Sequence, residues 1–308
     1  MLTIAASLWP RKLDEQRYPV TARLYRPEAD TQVLIHSQSP ENPLGDVVLV
    51  HGLEGSSDAG YMRSMAQALL EAGFATHRLN TRTCGGTEFL SPTLYHAGLT
   101  TDLFAWVMEL DRQRRTPVYV VGFSLGGNMA LKLAGELGED GRRLLAGVCT
   151  VSTPLDLAAC ARRLGEWQNR IYQWRFVASM KKRLRIRKGI LPDKLAWDRL
   201  NQVGSVYEFD DIFTGPSFGF NGAEHYYRTQ SAAGYLDAIR VPTLLVHATD
   251  DPMIPPETYR QRAFGSNGSL RLVTVAHGGH IGFLSRDQPR IWVDGVVVDW
   301  LMSSQKPK

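Results

Sequence analysis

Cysteine is scarce in this sequence, and its three cysteines lie far apart. Cys84, Cys149 and Cys160 are too few and too scattered for a disulfide framework or a cysteine-rich zinc module. No cluster of histidines has metal-ligand spacing such as H-E-x-x-H. The sequence therefore predicts no metal and no other cofactor, and it predicts a reducing compartment.

Long apolar runs are also missing. No uninterrupted apolar stretch approaches the roughly 20 residues that a membrane-spanning helix needs. Residues 1–12 contain a short apolar run, but no basic segment precedes it and no small-residue cleavage site follows a long apolar region. We therefore expect a cytoplasmic protein without a secretory signal, and we expect it to act as a monomer.

Net charge is small over the whole chain but unevenly distributed. With a net charge of +4 and 44% hydrophobic residues, the chain is not an intrinsically disordered protein. Residues 161–188 contain ten Lys and Arg residues and a single acid, a local net charge of +9, so the remainder carries −5. Because no recognised nucleic-acid module accompanies this basic segment, we expect no nucleic-acid partner.

Six short segments rich in aliphatic residues alternate with helical patterns, and two preliminary strand-like segments precede them. Near-continuous Val and Leu runs of this kind are typical of strands buried on both faces of a parallel sheet. Strands are expected at 20–25, 32–36, 47–50, 75–80, 118–121, 146–151, 243–247 and 270–275. Apolar residues recur at helical spacing at 62–70, 103–108, 125–137 and 293–301. The sequence predicts an α/β fold with a mostly parallel, doubly wound sheet and an antiparallel edge formed by the first two strands.

The alternation is interrupted once, after the sixth predicted strand. The segment 152–240 is far longer than one crossover helix requires. It predicts a helical cap or lid that includes a crossover helix. The remaining segments, 1–151 and 241–308, are then expected to form the core.

A candidate nucleophile lies in Gly-Phe-Ser-Leu-Gly at 122–126, which matches the pattern G-x-S-x-G. An apolar strand precedes Ser124 and a strong helical pattern follows it. On such a strand-to-helix turn the serine hydroxyl is exposed above the sheet edge, and the flanking glycines keep neighbouring chains clear of the turn. The alternative, a plain helix-capping serine, does not require this context.

The same pattern occurs a second time, in Gly-Pro-Ser-Phe-Gly at 215–219. Ser217 has no apolar strand before it, and Phe-Asn-Gly after it breaks a helix. The context therefore favours Ser124 as the nucleophile.

The loop after the first buried strand, 51–57, predicts half of an oxyanion hole. Gly52 would let the backbone approach a substrate carbonyl, and the amide of Leu53 would point at the oxyanion. Leu125, directly after the serine, would supply the second amide. His51 is expected to be structural.

The acid and base of a serine hydrolase are expected after later strands. Asp251 follows a strand end, with Asp250 as its local rival and Asp156 as a more remote candidate. His280, in the glycine-rich loop 276–283, is the preferred base, with His277 as the alternative. Asp251 would hold the tautomer of His280, which would take the proton of Ser124 and return it to the leaving group.

Several segments together resemble the YheT-like family of α/β-hydrolases. The resemblance covers roughly residues 46–300, and its motifs are HGLEGSS, RTCGGTEFLSPTLYHAGLTTD, VGFSLGGNM, YY-x-x-x-S-A-A-x-x-x-L-x-x-I-x-V-P, DDPMIPP and HGGHIGF. It implies an α/β-hydrolase fold with a helical cap and carboxylesterase or lipid-ester activity. Carried over by motif, it also implies a triad of Ser124, Asp251 and His280.

The basic segment carries an apolar stripe with 3-4-3-4 spacing, formed by Leu164, Trp167, Ile171, Trp174 and Ala178. The favoured interpretation is a single lid helix that packs this stripe on the core, with solvated charges. A second interpretation is an interfacial helix that contacts anionic membrane lipid. Nucleic-acid binding is the third and least favoured interpretation.

Candidate substrate-binding residues are Gly52 and Phe123. Further candidates for the acyl-pocket walls are Phe218, Phe220, Tyr226 and Tyr227. Cys84 is expected to be a small apolar filler or to line the pocket.

Together these features predict a serine hydrolase that cleaves carboxylic esters, either short- to medium-chain or lipid esters, through an acyl-enzyme on Ser124. Two alternatives remain at this point. The first is a non-catalytic relative that binds a ligand or partner, and the second is a thioesterase or amidase with the same triad.

Overall fold

The computed structural model describes residues 11–113, 116–191 and 195–304. Residues 1–10, for which the sequence predicts no secretory signal, lie outside this part of the chain. The strands are β1 (Thr21–Glu28), β2 (Thr31–Gln38), β3 (Asp46–Val50), β4 (Ala75–Leu79), β5 (Val118–Phe123), β6 (Gly147–Val151), β7 (Thr243–Ala248) and β8 (Leu270–Val275). All eight lie where the sequence predicts strands, with small differences at their ends.

The eight strands form one sheet in the order β1-β2-β4-β3-β5-β6-β7-β8. Neighbours from β4 to β8 pair in parallel, whereas β1 with β2 and β2 with β4 pair antiparallel. Only residues 29–30 separate β1 from β2, and a connection this short can join only an antiparallel pair. The predicted mostly parallel sheet with an antiparallel edge is confirmed.

Four of the long helices lie at the predicted apolar stripes. The long helices are α1 (Gly60–Glu71), α2 (Thr101–Gln113), α3 (Leu125–Leu137), α4 (Leu157–Leu164), α5 (Arg170–Ile186), α6 (Gly222–Gln230) and α7 (Trp292–Ser304). Shorter α-helical segments are Gly141–Leu144, Val206–Phe209, Gly215–Ser217 and Ala263–Ser266. Segments of 3₁₀ or π helix are Gly138–Asp140, Trp167–Asn169, Trp197–Arg199, Asp210–Thr214, Ala232–Ala238 and Pro256–Tyr259. In the described part of the chain, no helix combines the length and the apolar character that crossing a membrane requires.

Apolar layers cover both faces of the sheet, because successive side chains of a strand point to opposite sides. In β5, Val118 and Val120 join the layer that contains residues of α2 and α3. Tyr119 and Val121 join the opposite layer, which contains residues of α1 and α7. Burial on both faces explains why these strands read as continuous apolar runs rather than alternating ones.

The strand order reverses direction at β3, and this reversal locates the candidate site. From β3 the chain crosses to β4 on one side, whereas β5 pairs with β3 on the other side, with Val50 opposite Gly122. The helices that follow β3 and β5 lie in opposite apolar layers, α1 in one and α3 in the other, so the carboxyl ends of these strands are the point where a ligand site is expected. The loops after the parallel strands β7 and β8 end at the same edge.

The segment 152–240, here called the cap segment, follows β6 and contains α4, α5, α6 and shorter helical pieces. The favoured interpretation of its apolar stripe is wrong. The expected single helix is broken: α4 ends at Leu164, and α5 begins at Arg170. Helix α5 buries Val177, Met180 and Leu184 instead.

The side chains of Trp167, Ile171 and Trp174 are exposed. The cause lies in the turn between the two helices. The side-chain amide of buried Asn169 donates to the carbonyl oxygens of Arg163 and Pro252 at 2.9 and 2.8 Å, which sets the direction of α5.

Candidate active site

Ser124 lies on a tight turn between β5 and α3. Its backbone has φ 50° and ψ −121°, an unusual conformation for a residue with a side chain. Its N–H donates to the carbonyl of Val151 at 2.9 Å, which ties the turn to β6. The hydroxyl is thereby raised above the sheet edge at the amino end of α3, as the G-x-S-x-G context predicts.

The glycines around Ser124 are required by close backbone contacts. A Cβ on Gly122 would lie 2.4 Å from the carbonyl oxygen of Gly126. A Cβ on Gly126 would lie 2.3 Å from the carbonyl oxygen of Val50. Both positions therefore need hydrogen in place of a side chain, because the strand, the turn and the neighbouring loop are packed directly against one another.

Three side chains from separate loops meet at this turn. Nε2 of His280 lies 3.0 Å from Oγ of Ser124, and Nδ1 lies 2.8 Å from Oδ2 of Asp251. The side chains of His280 and Asp251 are 8% and 0% exposed. A carboxylate can only accept, so Nδ1 carries the proton that it donates to Asp251, and Nε2 is left to accept from the Ser124 hydroxyl.

Asp251 is held by its own loop. Its Oδ1 accepts from the backbone N–H groups of Met253 and Ile254 at 2.9 and 3.1 Å. These two donors fix the carboxylate and leave Oδ2 directed at His280.

The rival acid and base residues have other positions. Oδ1 of Asp250 accepts from the backbone N–H groups of Gly278 and Gly279 at 2.9 and 2.7 Å, so this carboxylate shapes the histidine loop. His277 is exposed and lies 3.5 Å from Oδ2 of Asp250. Asp156 caps α4 by accepting from the N–H of Ala159.

The loop after β3 lies against Ser124. A Cβ on Gly52 would be 3.1 Å from Cβ of Ser124, so the loop approaches the serine as closely as glycine allows. The backbone amides of Leu53 and Leu125, the two expected oxyanion donors, have no hydrogen-bond partner within the described residues. Both residues border the pocket together with Ser124.

His51 supports this loop from below. It is buried, and burial lowers its pKa to about 4, so the ring is neutral at neutral pH. Its Nε2 accepts from the N–H of Thr81 at 3.2 Å, and its Nδ1 donates to the carbonyl of Gly52 at 2.8 Å.

Glu54 and Arg183 are site residues that the sequence reasoning missed. The carboxylate of Glu54 forms a buried ion pair with Arg183 of α5, and it accepts from the hydroxyl of Ser179 at 2.6 Å. The hydroxyl of Tyr95 accepts from the N–H of Glu54 at 2.9 Å. In the sequence, two features hint at this ion pair. Glu54 is the acid of the glycine-rich loop 51–57, and the basic segment 161–188 contains a single acid with which its Lys and Arg residues could pair.

A largely apolar pocket opens beside Ser124 and His280. Its walls come from the core loops and from the cap segment, and they include Leu94, Tyr95, Ala97, Leu157, Ala161, Leu164, Phe176, Met180, Phe209, Tyr226, Tyr227, Met253 and Ile254. The space not occupied by atoms, including the open mouth, is about 910 Å³. The pocket is suited to the apolar part of a ligand.

Several expected pocket residues lie elsewhere. Phe123 does not line this pocket, because alternation along β5 directs its ring to the opposite layer, where it packs on Tyr61 at 5.0 Å between centroids. Phe218 and Phe220 pack on the His96 ring behind the wall. Cys84 is buried outside the pocket, and its Sγ accepts from Nη1 of Arg183 at 3.1 Å.

Besides Glu54, which pairs with Arg183, a second acid lines the pocket. Asp210 is buried, and burial raises its pKa to about 6. The hydroxyl of Tyr227 donates to its Oδ2 at 2.7 Å, which favours the ionised form but only partly offsets the effect of burial.

Comparison with known proteins places the chain in a family. A family model of the alpha/beta hydrolase fold matches residues 46–287. YheT of Escherichia coli (strain K12) is 32% identical over 301 residues, which cover 94% of this chain and 86% of that protein. Medium-chain fatty acid ethyl ester synthase/esterase 2 of Saccharomyces cerevisiae is 29% identical over 78% of this chain and 58% of that protein. Monoacylglycerol lipase of the same yeast is 28% identical over 80% and 56%, so the chain spans less than two thirds of both yeast relatives.

Solved structures show the same fold. Esterase Pf2001 of Pyrococcus furiosus has a TM-score of 0.61 at 17% identity, over 96% of this chain and 98% of that chain. Est1E of Butyrivibrio proteoclasticus has a TM-score of 0.59 at 17% identity, over 92% and 98%. The curated relatives named as an esterase and a lipase support a hydrolase. The chain is therefore a member of the YheT-like family of α/β-hydrolases.

Proposed function

We propose that the chain cleaves carboxylic esters through an acyl-enzyme on Ser124. One observation carries the proposal: His280 lies within hydrogen-bond distance of both Ser124 and Asp251, at 3.0 and 2.8 Å, beside an apolar pocket. A nucleophile, a base in contact with it and a buried acid that orients the base are the parts that acyl transfer requires.

Acylation begins when Oγ of Ser124 attacks the carbonyl carbon of the ester. Nε2 of His280 takes the hydroxyl proton, and Asp251 stabilises the imidazolium that results. The unpartnered amides of Leu53 and Leu125 are the proposed donors to the oxyanion of the tetrahedral intermediate. The carbon–oxygen bond to the alcohol then breaks, and the leaving oxygen receives the proton from His280.

Deacylation repeats these steps with water as the nucleophile. His280 removes a proton from the water as its oxygen attacks the acyl carbon, and the same two amides face the new oxyanion. Collapse of the intermediate breaks the bond to Oγ of Ser124, which regains its proton from His280. The free carboxylic acid leaves, and the resting arrangement is restored.

The pocket supports short- to medium-chain acyl esters or lipid esters as the substrate class. Its walls beside Ser124 are mostly aliphatic and aromatic, so an acyl chain would be bound by burial rather than by paired charges. Two yeast relatives named as a monoacylglycerol lipase and a medium-chain fatty acid ethyl ester synthase/esterase are consistent with that class.

A labelling and hydrolysis experiment tests the proposal. The purified chain is treated with a fluorophosphonate and then assayed on p-nitrophenyl esters of increasing acyl length. We expect labelling of the wild type and none of Ser124→Ala, with kcat reduced by roughly 10⁶-fold in that variant. Ser217→Ala is the matched control, because Ser217 occupies the second G-x-S-x-G pattern but lies in the short helix Gly215–Ser217 with no strand before it.

The outcomes separate the alternatives. A wild-type chain that is folded, unlabelled and inactive would be a non-catalytic ligand-binding relative. If Ser124 is labelled but thioesters or amides are cleaved in preference to matched esters, the acyl-enzyme mechanism is retained and the proposed ester specificity is wrong. The assay on esters of graded length then identifies the preferred acyl chain.

The division of the chain into core and cap, and its location in the cell, are two further proposals. We propose that residues 152–240 act as the cap over a core of 1–151 and 241–308, since helices of this segment form one side of the pocket. A cytoplasmic location is proposed because Cys84, Cys149 and Cys160 are buried, unpaired thiols, the form maintained in reducing compartments. Cell fractionation with detection of the protein tests the location.

A further inference from the structure

The cap segment carries an exposed apolar cluster that the proposed mechanism does not use. Trp167, in the turn before α5, is 80% exposed, and Ile171 and Trp174 in the first half of α5 are 64% and 70% exposed. We call these three residues the docking face. Two tryptophans and an isoleucine exposed together are unusual on a monomer in water, and such clusters mark contact sites.

The orientation of the docking face is set by packing. On the other side of α5, Val177, Met180 and Leu184 are buried in the core. Asn169, between Trp167 and the helix, is anchored by its two side-chain hydrogen bonds. Rotating the tryptophans inward would expose these three core residues and break both hydrogen bonds of the Asn169 side chain, so the docking face stays directed outward.

The surroundings of the docking face are strongly basic. Between Arg170 and Lys188 the sequence contains eight Lys and Arg residues and no Asp or Glu. Two of these have internal roles: Arg183 pairs with Glu54, and buried Arg187 donates to backbone carbonyls. Three others are exposed and form no ion pair with any residue in the described ranges; they are Arg170, Arg175 and Lys182.

We propose that the docking face binds the surface of an anionic phospholipid bilayer. Indole rings are favoured at the level of lipid headgroups, where an apolar body and a polar N–H are both accommodated. Basic side chains on the same helix would approach the lipid phosphates, which complements their charge. A second copy of this chain fits less well, since it would bring two basic helices together. Single-stranded nucleic acid fits less well because the sequence contains no recognised nucleic-acid module beside the basic segment.

Docking would bring the candidate site close to lipid esters. Phe176 and Met180 of the same helix line the pocket, so the bilayer and the pocket would lie on opposite sides of one helix about 10 Å across. The proposed binding does not depend on catalysis. Vesicle binding and ester hydrolysis can therefore fail independently.

Vesicle co-sedimentation of the full chain tests the inference. Vesicles of phosphatidylcholine alone are compared with vesicles that also contain phosphatidylglycerol, over a series of salt concentrations. We expect binding to the anionic vesicles that weakens as salt rises, with a loss of about tenfold or more in the partition coefficient for Trp167→Ser/Trp174→Ser. Lys182→Gln should lower it about fivefold on anionic vesicles only. Leu24→Ser, which removes a 53% exposed apolar side chain on β1, is the matched control and should bind as the wild type does.

Three results would overturn the inference. The first is absence of binding to anionic vesicles at low salt. The second is equal binding by the wild type and the double tryptophan variant. The third is a concentration-dependent dimer, or binding to single-stranded DNA, that depends on both tryptophans while vesicles are ignored. Hydrolysis of a water-soluble p-nitrophenyl ester should be unchanged in the double variant, which shows that it is folded and separates this test from that of the proposed function.

Discussion

Arg183 of the cap segment forms a buried ion pair with Glu54, the residue after the proposed oxyanion donor Leu53. The two side chains are 10% and 9% exposed, and Glu54 has a backbone φ of 57°. Ser179 donates to the same carboxylate from the preceding turn of α5. The cap segment and the oxyanion loop thus share one buried polar network, so the position of the loop depends on the cap helix.

We predict that Arg183→Gln lowers kcat by about tenfold or more with a smaller change in KM. Loss of the ion pair would release the loop that carries Leu53, and the proposed role of the Leu53 amide is to stabilise the transition state rather than the bound ester. Steady-state kinetics on a p-nitrophenyl ester measures the split between kcat and KM. Arg175→Gln, an exposed residue of the same helix, is the control.

Removing one partner also leaves a buried charge on Glu54. Arg183→Gln should therefore destabilise the protein by about 3 kcal/mol or more, and adding Glu54→Gln should restore much of that stability without restoring kcat. A stable Arg183→Gln variant with unchanged kcat would show that the loop does not need the cap helix.

The two adjacent acids should differ sharply in their effect on catalysis. Asp251→Asn should lower kcat by about 10⁴-fold, because His280 would lose the acceptor that selects its tautomer. Asp250→Asn should have a much smaller effect, since its oxygen accepts from the N–H groups of Gly278 and Gly279, which an amide oxygen can replace. Comparable losses in both variants would contradict the assignment of Asp251 as the acid.

The glycine before the serine turn should tolerate no side chain. Gly122→Ala places a Cβ 2.4 Å from the carbonyl oxygen of Gly126, so the turn must shift. We expect a loss of about 3 kcal/mol or more in the free energy of unfolding, measured in urea. Gly234→Ala, which meets no atom within 4 Å, is the matched control and should lose about 0.5 kcal/mol or less.

Asp210 should make stability depend on pH. Its pKa is about 6 in the folded protein against 3.8 in the unfolded chain. A raised carboxyl pKa stabilises the fold fully below pH 3.8, and that contribution is lost as pH rises through 6. Asp210→Asn should therefore gain stability relative to the wild type as pH rises from 4 to 7, by up to about 3 kcal/mol at about 1.4 kcal/mol per pKa unit. Urea unfolding of both proteins at several pH values measures this gain, and a difference that does not vary with pH would rule it out.

The pocket wall on the cap side should determine acyl length. Met180→Phe adds volume beside the pocket and should shift the preferred p-nitrophenyl ester towards shorter chains. Phe123→Leu should leave the preferred length unchanged while lowering stability by about 1 to 3 kcal/mol, because its ring is buried in the opposite apolar layer. If Phe123→Leu shifted the preferred chain length and Met180→Phe did not, the conclusion that Phe123 lies outside the pocket would be wrong.

The sequence was informative wherever a local pattern has one physical interpretation. A short, near-continuous apolar run between helical stripes is typical of a strand covered on both faces, and six of the eight strands were predicted on this basis. Ser124 was favoured over Ser217 because only one of the two motifs joins a strand to a helix. Because the loops after parallel strands lie at one edge of the sheet, the sequence alone predicted that Asp251 and His280 lie near Ser124.

The sequence-based predictions were wrong where packing against distant residues determines the direction in which a side chain points. Trp167, Ile171 and Trp174 have the spacing of a buried stripe, yet the first helix ends at Leu164 and the core takes Val177 and Met180 instead. Phe123 is adjacent to the serine in sequence but on the opposite side of the sheet.

Chain order and local pattern thus determined the sheet, the serine turn and a short set of candidate acids and bases. Tertiary structure alone decided which acid meets the histidine, since Asp250 and Asp251 differ only in the side of the loop to which they point. It alone joined Arg183 to Glu54, 129 positions apart in the chain. The spacing of apolar residues indicates which side of its own helix or strand a residue faces. Contacts between distant elements depend on how those elements pack, which this spacing does not contain.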